Sequence, residues 1–152
     1  MTTVLLKGEE LEVARAEVDA VRAAVAGGDY ADLLDDLLDV LADGSELEAR
    51  HAGELDRLLT LALQSGRVRA LYGPGGEQAA LRLFRRLPAG AGLAETARSV
   101  SAALTSLNGR AIESFRIEVV GPGMYRIALN AGGAEVAVRL DRSGVQLASI
   151  GV

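Results

Sequence analysis

Phe115-Arg116-Ile117-Glu118-Val119, Tyr125-Arg126-Ile127-Ala128-Leu129 and Val136-Ala137-Val138-Arg139-Leu140 share one pattern, with a large apolar residue at every second position. A period of two marks a strand with one apolar face, because successive side chains point to opposite sides. Gly121-Pro122-Gly123 and Ala131-Gly132-Gly133 separate the three runs. Asp141-Arg142-Ser143-Gly144 leads into a fourth, over residues 145–152. Short alternating runs joined by glycine-rich turns predict hairpins. The stretch therefore reads as a four-stranded antiparallel meander with one apolar face, which needs a cover.

Upstream the period changes to that of a helix. Leu11, Ala14, Val18, Val21 and Val25 recur at spacings of three and four, which predicts a helix over residues 9–26, stopped by Gly27-Gly28. Asp29 is placed to cap a second helix over residues 30–43, ended by Gly44. Ser45-Glu46-Leu47-Glu48 fits a capping box. It predicts a third helix to about residue 64, with the stripe Leu47, His51, Leu55, Leu58, Leu59 and Ala62. Residues 67–72 fit a strand or a helix end, and Gly73-Pro74-Gly75-Gly76 reads as a loop. A short helix over 77–87 follows. After a second loop at 88–92, a helix over 93–107 would cover the sheet with Val100, Leu104 and Leu107.

The class is α+β: an N-terminal helical hairpin or bundle of about three helices, then two helices and the meander. The expected division is an acidic helical region at 1–66, a possible dimerisation unit, and an α+β unit at 67–152.

At 152 residues, 49% apolar and 24% charged, the chain has the size and composition of an ordinary globular domain. Global disorder and a disulfide scaffold are excluded. The absence of cysteine removes thiol catalysis and thiolate metal sites. No run reaches the ~20 apolar residues of a membrane helix. Residues 1–7 lack the basic-then-apolar pattern of a signal peptide, so the expected location is cytoplasmic, without a membrane. Charge is uneven: residues 1–56 carry 15 acids and 4 bases, residues 57–152 carry 6 acids and 12 bases. Such asymmetry points to a charged partner, self-association, or mutual neutralisation within one chain.

Three groups of residues stand out. Leu34, Leu37, Leu38 and Leu41 form a leucine face broader than one neighbouring helix covers, beside the acids Asp35 and Asp39; this is the candidate partner-binding face. Arg67, Arg69, Arg82, Arg85 and Arg86 flank the glycine-rich stretch with Gly75 and Gly76, a candidate anion site, since amides at a helix start attract phosphate. The stretch lacks the Gly-Lys-Ser/Thr of a Walker loop, and Glu77 stands where an anion would sit. Glu48 and His51 are spaced i, i+3, as in carboxylate-bridged metal bundles. With a single His, only a homodimer could complete such a site, with Glu17 or Glu54. The plainer reading of His51 is a partly buried residue on an apolar stripe.

No Gly-x-Ser-x-Gly elbow or other catalytic constellation is present, and no cofactor motif. The sequence thus predicts a non-catalytic protein-interaction or assembly module that self-associates. The alternative is a nucleic-acid- or phosphate-binding protein using the basic segment from Arg67 to Arg86.

Overall fold

A computed structural model describes residues 3–151, which form five helices followed by four strands. The helices are α1 (Gly8–Ala24), α2 (Asp29–Asp43), α3 (Ala49–Gln64), α4 (Arg67–Phe84) and α5 (Pro88–Leu104). A short 3-10 turn, Thr105–Leu107, follows. The strands are β1 (Ile112–Gly121), β2 (Met124–Ala131), β3 (Ala134–Asp141) and β4 (Gly144–Gly151). The class is α+β, and the sheet is an antiparallel meander in the order β1-β2-β3-β4.

The chain divides into two compact units, residues 1–91 and 92–152. The expected division at residue 66 is therefore replaced by one inside α5. The physical reason is apolar burial. Val68, Ala79, Ala80 and Leu83 of α4, and Leu87 after it, belong to the same core as the three N-terminal helices. That core also takes Val13, Ala14 and Val18 of α1, Leu34, Leu37 and Leu41 of α2, and Leu55, Leu58 and Leu59 of α3. A helix segregates with the surface that covers its apolar face, whatever its place in the chain.

Three local expectations are corrected. The capping box does not form. Glu48 is the residue before α3 and makes no side-chain cap, because Leu47 is drawn into the core by a short antiparallel bridge to Val4, its amide donating to the Val4 carbonyl at 3.1 Å. The glycine-rich stretch is a kink within α4 rather than a loop. Gly73 (φ 67°, ψ −172°) breaks the helix and Pro74 restarts it, as proline can at a first helical position. Residues 88–92 open α5 instead of looping. Pro88 begins it, and the Asp56 carboxylate of α3 accepts from the Ala89 amide at 2.7 Å. Burial holds the Asp56 carboxyl above its ordinary range, and that amide partly offsets the rise.

In the second unit, Val100 of α5 packs on Val136 and Val138 of β3, with Leu104, Leu107 and Val145 around them, as the alternation and the helix stripe predicted. Gly144 lies where a Cβ would come within 2.8 Å of the Leu93 side chain, and its φ of 118° suits glycine.

Candidate functional site

Residues paired directly across antiparallel strands lie on the same face of the sheet. Phe115, Ile117 and Val119 of β1 pair with Leu129, Ile127 and Tyr125 of β2. These pair with Val136, Val138 and Leu140 of β3, which meet Ile150, Leu147 and Val145 of β4. One face of the sheet is thus apolar from edge to edge. Helix α5 covers only its centre and the β3 side. An apolar groove of about 420 Å³, bounded by Val100 and Leu104 on the helix and by Phe115, Ile127 and Leu129 on the sheet, opens between them.

Beyond the groove the face is bare. Phe115 is 55% exposed, Ile117 63%, Val119 75% and Tyr125 45%, and Ile112, on the same face, is 67% exposed. Five large side chains exposed on one face make an apolar patch of the kind that is commonly a contact site.

The opposite face of the sheet is polar. Glu118 sits between Arg126 at 3.5 Å and Arg116 at 4.0 Å. Arg139 pairs with Asp141 at 3.2 Å. The Ser143 hydroxyl and amide donate to Asp141 and, with Arg139, hold its carboxyl below the usual range.

The leucine face expected to bind a partner is spent within the chain. Leu34, Leu37 and Leu41 are buried in the core of the first unit, and Leu38 is partly buried against it. The premise that one chain could not cover this face fails, because α1 packs along α2 and the leucines join the core shared with the other helices of the unit. Asp35 accepts two hydrogen bonds from Arg22, at 2.6 and 2.9 Å, which hold its carboxyl low. Asp39 stays exposed.

The arginines expected to gather around an anion do not converge. Arg67 donates to Glu17, which is buried and also accepts from the Tyr72 hydroxyl at 2.9 Å. Arg69 lies 3.6 Å from Glu77. Arg86 reaches Glu10 at 2.6 Å and the Leu5 carbonyl at 2.7 Å, and Arg82 reaches Glu9 at 3.2 Å. Arg85 is exposed outside these pairs. Arg67, Arg82 and Arg86 thus find acids of α1, because α4 packs along α1, while Arg69 finds one within α4.

Gly75 and Gly76 lie in the part of α4 that follows the kink at Gly73. A Cβ on Gly76 would come within 2.2 Å of the Tyr72 Cβ, so the glycine lets the kinked helix fold past Tyr72 and aim its hydroxyl at Glu17. Burial, then the bond to Glu17, pushes the Tyr72 phenol up to about 12.

Glu48 and His51 do not form a metal pair. Glu48 is exposed at the helix start while His51 is buried, with neither ring nitrogen in a hydrogen bond among the described residues. Glu17 is committed to Arg67 and Tyr72, and Glu54 to Tyr30 and Arg57. No cluster of three metal-ligating side chains occurs among the described residues, and no helix there is long and apolar enough to cross a membrane.

Sequence reasoning placed the β1 residues in the core by their alternation, and so missed the bare face. The readable signal was arithmetic: one helix stripe of Val100, Leu104 and Leu107 is too narrow for four strands. No family model, curated protein or solved structure matches the chain.

Proposed function

We infer that the chain is a non-catalytic protein-interaction module of the cytoplasm, and that it works through the β1 side of its C-terminal sheet rather than through its N-terminal helices. The observation that carries this reading is the bare apolar face of Phe115, Ile117, Val119 and Tyr125. Full burial of such a side chain is worth about 1.5–3 kcal/mol, and these four, 45–75% exposed, leave roughly half to three quarters of that gain for a partner. Most arginines of the first unit are paired with its acids, which leaves few of them to hold an anion.

A photo-crosslinking amino acid at position 117, compared with one at position 39, tests this in the producing cells. Position 117 is expected to give discrete protein adducts, formed with the chain itself or with another protein. Position 39, on the exposed acidic side of α2, is expected to give none. Adducts at 39 alone, or at neither position, would refute the assignment of the surface.

A further inference from the structure

The two edges of the sheet differ. Strand β4 is interrupted near its middle, where the register shifts opposite Ala137 and Val138. A central bulge of this kind blunts an edge against added strands. Strand β1 has its irregularities near its ends, between Ile112 and Ser114 and between Val119 and Gly121, and is regular from Ser114 to Val119. Among the described residues β1 pairs with β2 alone. Its regular stretch contains no proline and no lysine, two of the usual edge guards. The backbone groups along its outer side are an open template for another strand.

The side chains say which strand fits. Phe115-Arg116-Ile117-Glu118-Val119 is self-complementary when laid antiparallel on itself about Ile117. Arg116 then stands opposite Glu118 of the second copy, and Glu118 opposite its Arg116. On the other face, Phe115 stands opposite Val119, and Ile117 opposite Ile117. A two-fold axis perpendicular to the sheet keeps like faces together, so both apolar faces lie on one side and both polar faces on the other. Shifting the register by one residue would set apolar side chains against charged ones. Arg116 is free for this role: its side chain is 67% exposed, and among the described residues it pairs only with Glu118, loosely, at 4.0 Å.

We propose that the occupant of the β1 edge is the β1 strand of a second copy of this chain. Two four-stranded meanders then join into one eight-stranded sheet with the register centred on Ile117. The proposal rests on the interaction surface inferred above and names its partner. The same contact covers the open flanks of Phe115, Ile117 and Val119.

Charge reversal on the full-length chain tests it by sedimentation. Wild type is expected to dimerise at micromolar concentration. Arg116→Glu places acid against acid twice across the interface, and Glu118→Arg places base against base twice. Each is expected to weaken the dimer roughly tenfold or more, since both cross-strand ion pairs become repulsions. Mixing the two variants restores both pairs in trans and is expected to restore dimers, as heterodimers only. Circular dichroism confirms that each variant is folded. Because the chain has no cysteine, Ile117→Cys gives a second readout, a 117–117 disulfide under mild oxidation, with the exposed Ser106→Cys as the control for collision. A monomeric wild type, dimers that survive both reversals, or a mixture that stays monomeric would overturn the proposal. If 117 still crosslinks to a different protein, the interaction surface stands and only its partner was wrong.

Discussion

Ile117 and Val136 lie on the same apolar face of one sheet, and truncating them should cost the folded chain very different amounts. Val136 is 1% exposed beneath α5, whereas Ile117 is 63% exposed. Full burial of such a side chain is worth about 1.5–3 kcal/mol. The covered third of Ile117 therefore contributes about 0.5–1 kcal/mol, and Ile117→Ala should cost about that much. Val136→Ala removes two fully buried methyl groups and leaves a cavity under α5, so about 1.5–3 kcal/mol is expected. The assay is urea unfolding followed through hydrogen exchange of the β2 and β3 amides, which reports on the second unit by itself. The protein concentration is set below the dimer range, so that the stability of one chain is measured. Equal costs at the two positions would show that β1 is covered in the monomer, and the surface assignment would fall with it.

Further outcomes concern the helical unit and α5. Glu17→Ala leaves the Tyr72 hydroxyl and Arg67 without their partner and should destabilise the first unit by about 2–3 kcal/mol, below the full cost of breaking a buried pair because Arg67 is partly solvated. The same network sets an alkaline limit. The phenol of Tyr72 is raised from about 10 to about 12, so between those pH values the unfolded chain loses a proton that the folded one keeps, and stability should fall as pH rises through that window. An alkaline slope as steep in Tyr72→Phe as in wild type would contradict this. Gly90→Ala would place a Cβ 2.0 Å from the Phe84 carbonyl oxygen and should cost about 3 kcal/mol, the upper end for overpacking. Gly92→Ala, two residues along the same helix with open space around it, should gain about 0.5–1 kcal/mol; thermal melts compare the two.

What the sequence determined by itself was whatever is local. The period-two runs from Phe115 to Leu140, with their glycine turns, specify a meander and its register, since a slip of one residue would turn every apolar side chain to the wrong face. The three- and four-residue spacings specify α1, α2 and most of α3 in the same way. Tertiary structure decided which apolar faces find cover, because that depends on how many elements converge on a face, and periodicity counts one element at a time. Leu34, Leu37 and Leu41 look surplus in α2 and are buried by their neighbours. Phe115, Ile117 and Val119 look like core and are left bare by a single narrow helix. The same limit hid the partners of the arginines. Glu9, Glu10 and Glu17 lie 50 to 76 residues from Arg67, Arg82 and Arg86, and only the packing of α4 along α1 brings them within reach.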